Sequence, residues 1–91
     1  MGIIEQIKAG TLDEVDLLEY VTDNDVNIAI AVAESELATK PILDIAAHDN
    51  DKRVRLAAVN NPNTGIDTLK FLCKDIDSEI AKIAVNRLER S

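Results

Sequence analysis

A chain of 91 residues with one Cys and a formal net charge of −7 makes a single small domain. Its apolar 46% is Ile, Leu, Val and Ala with one Phe, one Tyr and no Trp, which suits closely packed helices rather than a sandwich or an aromatic-lined pocket. The lone thiol excludes an internal disulfide, no apolar run reaches the roughly 18–20 residues of a membrane span, and the acidity opposes nucleic acid.

The N-terminal Met1-Gly2-Ile3-Ile4-Glu5-Gln6 has no basic n-region, no small-residue cleavage site and no Ser or Thr at position 6 for myristoylation. A reducing, cytoplasmic location is the expectation. Ile3, Ile4 and Ile7 predict a first helix over about 2–9. Thr11-Leu12-Asp13-Glu14 has the form of a capping box and opens a second over 12–21, with Leu17 and Tyr20 on its apolar side. Asp25 caps a third over 26–34, whose stripe of Ile28, Ala31 and Val32 follows i, i+3, i+4.

Thr39 is the expected cap of a fourth helix over 40–48, which takes Pro41 in its first turn and carries Ile42, Leu43, Ala46 and Ala47. Asp51 caps a fifth over 52–60, on Val54, Ala57 and Ala58. Asn60-Asn61-Pro62-Asn63-Thr64-Gly65 reads as a helix end, a turn and a fresh start near Thr64. It leads into a sixth helix over 66–74 with Ile66, Leu69, Leu72 and Cys73. Asp77 caps a seventh over 78–89, on Ile80, Ile83, Ala84 and Leu88.

These elements repeat without gaps at 26 residues: Asp23-Asn24-Asp25 returns as Asp49-Asn50-Asp51 and as Asp75-Ile76-Asp77. Ile28, Val54 and Ile80 line up behind the marker, as do Leu17, Leu43 and Leu69, and Ile4 precedes Ile30 by the same step. A fixed period of this length marks a solenoid, in which each unit is stable only when stacked on its neighbours. The expected fold is all-α, a short right-handed α-solenoid of about three and a half helix-pair units. The units run over about 1–22 (partial), 23–48, 49–74 and 75–91 (partial) of one domain, 1–91.

The segment from Asp49 to Thr64, with Leu69, Leu72 and Asp75-Ile76-Asp77 after it, resembles the leucine-rich repeat variant, a family grouped with HEAT-like α-solenoids. Between residues 49–60 and 75–86, five of twelve positions are identical. The resemblance is close over 49–86 and looser over 23–48; the family pattern is nearer 24 residues and richer in Pro. It implies a scaffold or protein-binding surface. Some relatives carry an iron–sulfur cluster, which needs about four thiolates. With one cysteine here that feature is not carried over, and no cofactor is expected.

Chemistry-bearing residues are few. The three Asp-x-Asp pairs read as helix caps rather than as a site for a hard cation, because each pair is a full period from the next. Cys73, in register with Ala47 and Val21, reads as a buried inert thiol, and His48 as a solvated residue at a helix end. Lys52, Arg53 and Arg55 form the densest basic cluster, diluted by Asp49 and Asp51. Tyr20 and Phe71 are assigned to core stripes, so no direct nucleic-acid binding is expected.

Residues 1–45 hold ten acids and two bases, a balance of −8, against seven acids and eight bases, +1, over 46–91. The helices near 12, 40 and 66 should share a face on which Asp13, Asp16 and Glu19, then Lys40 and Asp44, then Asp67, Lys70 and Lys74 form a ladder from acidic to basic. That face is the candidate binding surface of a non-catalytic protein–protein interaction module whose partner has a basic surface. A small acidic inhibitor or immunity-type protein that masks a basic surface or mimics nucleic-acid charge is the alternative. Exposed apolar residues on the last helix would bring end-to-end self-association. Ile76, where the other markers have Asn, is either an exposed contact point or tucked against Phe71.

Overall fold

The computed structural model describes residues 2–90 and is all-helical, with no strand among them. The helices are α1 (Ile3–Ala9), α2 (Glu14–Tyr20), α3 (Val26–Glu34), α4 (Lys40–Ala47), α5 (Lys52–Asn60), α6 (Ile66–Leu72) and α7 (Ser78–Arg90). The aspartates start α3, α5 and α7 by one device used three times. Asp23, Asp49 and Asp75 each accept the backbone N–H two residues on at 2.8 Å. Asp25, Asp51 and Asp77 then accept from the N–H of Asn27, Arg53 and Glu79 at 2.9–3.0 Å. Each carboxylate satisfies an N–H that would otherwise be unpaired and faces the positive end of the helix dipole.

The threonines behave differently from expectation. Asp13, not Thr11, caps α2 by accepting from Asp16 N–H at 3.0 Å, so this helix starts two residues later than the capping-box reading places it. Thr11 donates its hydroxyl back to Gln6 O, because Gly10 ends α1 in the left-handed region at φ 73° and folds the chain onto it. A Cβ at Gly10 would also meet Leu37 Cδ1 at 3.3 Å. Thr39 stands at the N-cap of α4 but donates to Glu14 Oε2 at 2.6 Å, tying α2 to the start of α4. Thr64 is buried with its hydroxyl on Ala58 O, and Gly65 is the N-cap of α6.

The odd-numbered helices touch in succession, α1 to α3, α3 to α5 and α5 to α7; α4 packs on α6, and neighbours pack as α2–α3, α3–α4, α4–α5 and α6–α7. The result is elongated, 39 × 23 × 16 Å over Cα atoms. One core runs through it, from Ile7 and Leu17 through Val32, Ile42, Leu43, Val54 and Val59 to Leu72, Ile80 and Ala84. Alanines at 29, 31, 33, 46, 47, 57 and 58 are buried, which lets short helices approach closely. Ile83 and Leu88 of α7 are half-buried, and Val85 is its exposed large apolar residue.

Polar side chains stitch the helix pairs together. Asn61, 3% exposed, donates through Nδ2 to Ala33 O and Ser35 O, both at 2.9 Å. Asn63 donates to Glu36 O at 2.8 Å and Ala38 O at 3.1 Å. Twenty-six residues after Asn61, Arg87 donates through Nη1 to Val59 O and Asn61 O, both at 2.8 Å, the positions one period on from Ala33 and Ser35. Asn61 makes these bonds from an extended backbone just past α5, whereas Arg87 lies inside α7, and the longer side chain spans the difference.

Candidate interaction face

Helices α2, α4 and α6 share a register that separates their inner and outer sides. Positions 17, 43 and 69 are buried in all three, and 42, 68, 46, 72, 21 and 47 join them inside. Five other register positions are exposed in every helix. They hold Glu14, Lys40 and Ile66; Val15, Pro41 and Asp67; Leu18, Asp44 and Lys70; Glu19, Ile45 and Phe71; and Thr22, His48 and Lys74.

Six of the eight residues expected to form the binding ladder stand on this face: Glu19, Lys40, Asp44, Asp67, Lys70 and Lys74. Lys40, Asp44 and Asp67 line one shallow groove between α4 and α6. The other two lie elsewhere. Asp13 is held at the N-cap of α2, and Asp16 is half-buried in the register of the buried Ile42 and Thr68. The face is also more apolar than a polar ladder. Val15 is 73% exposed, Ile66 54% and Phe71 46%, with Leu18 and Ile45 beside them.

Asp44 and His48 give the face its fixed geometry. Asp44 Oδ1 accepts from the buried Thr68 hydroxyl at 3.0 Å, which fastens α4 to α6. His48 Nδ1 lies 2.8 Å from Asp44 O, one turn back, at the C-terminal end of α4. Its ring stacks on Phe71, with centroids 4.0 Å apart and planes 15° from parallel. Phe71 is therefore a surface residue, not a member of a core stripe. Ile76, in the turn after α6, is 97% exposed and rims a small cleft with Phe71, His48 and Lys74. It projects into solvent rather than tucking in.

The remaining candidates are occupied elsewhere. Arg55 is paired with Asp75 at 2.9 Å, Arg53 with Asp51 at 2.8 Å, and Lys52 lies 3.8 Å from Asp77, so the basic cluster is matched by its own carboxylates. Cys73 is half-buried rather than fully enclosed. Among the described residues no three of His, Cys, Asp and Glu are placed to hold a metal ion. No helix among them is long and apolar enough to cross a membrane.

One carboxyl has a marked shift. The Arg53 guanidinium bonded to Asp51, and then the Arg53 N–H, lower its pKa from 3.8 to about 2. The lowered value means that the stabilisation is fully present above pH 3.8 and is lost as pH falls through about 2. In Arg53→Ala the Asp51 carboxyl should titrate closer to 3.8, because the largest cause is gone while the N–H at position 53 remains. Carboxyl ¹³C shifts followed from pH 1.5 to 6 would read this; an unmoved midpoint would remove the guanidinium as its cause.

Comparison of the chain with protein-family models, with curated proteins and with solved structures finds no match.

Proposed function

We propose that this chain is a non-catalytic protein–protein interaction module, built as a short right-handed α-solenoid of the leucine-rich repeat variant or HEAT-like kind, and that its contact surface is the outer face of α2, α4 and α6. The solenoid reading is supported by bonds that recur 26 residues apart: the three Asp-x-Asp caps, and the Asn61 and Arg87 donors to equivalent carbonyls of the preceding pair. The binding reading rests on one observation. Every helix of the face carries exposed apolar side chains among charged ones: Val15 and Leu18, Pro41 and Ile45, Ile66 and Phe71. Apolar anchors inside a polar rim are the make-up of a contact patch.

The partner surface complementary to α2 is basic, since Glu14 and Glu19 stand there without a cation, whereas the α6 end offers Lys70 and Lys74. The acidic-inhibitor alternative has less to draw on. Of the four acids on α2 and its cap, Asp13 is held by capping and Asp16 turns inward.

A photo-crosslinking phenylalanine derivative placed at Ile45 or Phe71, and at Asn27 or Glu79 as controls on α3 and α7, tests the face. In a lysate of the native cell, adducts are expected from 45 and 71 and not from the controls. Contact through α2 would make the adduct yield fall as salt rises. Adducts from the control positions alone would overturn the assignment.

A further inference from the structure

Four exposed register positions run along the ends of α2, α4 and α6 and into the turn beyond each. They hold Leu18, Glu19, Thr22 and Asn24, then Asp44, Ile45, His48 and Asn50, then Lys70, Phe71, Lys74 and Ile76. Only the third set joins two cations to two bulky apolar side chains. Ile76 is the plainest departure. The two earlier turns have an exposed Asn at that position, and the isoleucine stands almost wholly in solvent.

A single exposed apolar residue needs no explanation, but this one shares with Phe71 the walls of a cleft of about 380 Å³ that opens to solvent. The Phe71 wall is set in advance. His48 stacks on it at 4.0 Å and is itself pinned through Nδ1 to Asp44 O at 2.8 Å. A side chain entering the cleft meets ordered apolar groups, so less freedom is lost on binding.

The charge of the cleft follows from which of its groups are already paired. Asp75 is taken by Arg55 at 2.9 Å, and Asp49 accepts the Asp51 N–H at 2.8 Å. Lys74 at the rim, and Lys70 one turn back on α6, form no ion pair among the described residues. Two free cations therefore stand beside apolar walls in a chain whose net charge is −7.

We infer that this cleft docks a short acidic segment of a partner protein: one bulky apolar side chain enters between Phe71 and Ile76, and carboxylates beside it lie against Lys70 and Lys74. The inference rests on the reading of α2, α4 and α6 as the contact surface and gives the partner's chemistry at its α6 end. The two kinds of contact divide the work. The apolar anchor sets how long the complex lasts, whereas the exposed lysines speed its formation and make it sensitive to salt.

Panning a displayed library of random peptides on the intact chain at low salt tests this. The field of the whole chain favours basic peptides, so the result is discriminating. Enriched peptides should instead be acidic, with Asp or Glu flanking a Leu, Ile, Phe or Trp. For a synthetic copy of the most enriched peptide, Ile76→Asn, which restores the residue of the other two turns, should raise Kd by about tenfold or more, chiefly through faster dissociation. Lys70→Glu/Lys74→Glu should raise it by about as much, chiefly through slower association, and should reverse the salt dependence. Circular dichroism verifies that these solvent-facing changes leave the helices intact. Enrichment of basic or uncharged peptides, no enrichment at all, or acidic peptides that bind both variants as they bind wild type would each overturn the inference. Adducts from 45 and 71 in the lysate would then leave the contact face standing without this occupant; adducts from the control positions alone would remove both.

Discussion

Asn61→Ala should lower stability by about 3 kcal/mol, enough to drop the melting temperature by roughly 12–24 °C in a chain of this size. The side chain is 3% exposed and does three things together. Its Nδ2 satisfies Ala33 O and Ser35 O, and its Oδ1 accepts from Asn63 N–H at 2.9 Å. Alanine leaves two carbonyls and one N–H without these partners where α3 turns towards α4, and each such group costs about 1–3 kcal/mol when water cannot replace the lost bond. Asn61→Asp separates the parts. It keeps the acceptor for Asn63 but aims carboxylate oxygens at two carbonyls, so it should be at least as damaging as alanine at pH 7. Urea unfolding followed by circular dichroism reads both, and a loss under about 1 kcal/mol for Asn61→Ala would mean that solvent does the work of the amide.

Arg55→Met should cost a similar amount, about 3 kcal/mol, for a different reason. The guanidinium and the Asp75 carboxylate retain only 12% and 5% side-chain exposure. Arg55 donates to both Asp75 oxygens, at 2.9 and 3.3 Å, and through Nη1 to Asp49 O and Asn50 O at 2.9 and 3.0 Å. It therefore ties the turn before α5 to the turn before α7. Methionine fills the space but strands the Asp75 charge, which still holds Asp77 N–H. Removing both charges together, as Arg55→Met/Asp75→Asn, should recover more than half of the loss, because no unpaired buried ion remains. Arg55→Lys should recover little, since an ammonium cannot serve four acceptors spread around a planar fork. A double variant no more stable than Arg55→Met would show that the loss comes from the two loop carbonyls rather than from the stranded carboxylate.

The helices were readable because their apolar spacing and their aspartate caps are local. α3 and α5 have the expected bounds, and the others shift by one or two residues. What escaped was decided by contacts across the chain. Thr11, Thr39 and Thr64 look like caps, yet each hydroxyl finds an oxygen brought near by a turn or a neighbouring helix: Gln6 O, Glu14 Oε2 and Ala58 O. The true starts, Asp13, Thr39 and Gly65, fall at one register position, so alignment of the units locates them where residue chemistry alone does not.

Phe71 teaches the same lesson. Its aromatic ring suggests a core residue, but its register mates Glu19 and Ile45 are both on the outside. Asn61 and Arg87 gave no such signal. They share a position with Ser35 but not a chemistry, and the carbonyls they bind lie 26–28 residues away.

Those bonds all point one way in time. Asn61, Asn63 and Arg87 are donors, and every carbonyl they take belongs to residues made earlier. During synthesis those corner carbonyls therefore have no side-chain donor until the residue some 26 positions later has been made. At roughly 5–20 residues per second that delay is on the order of one to five seconds. Each of these corners can close only after its donor has been made.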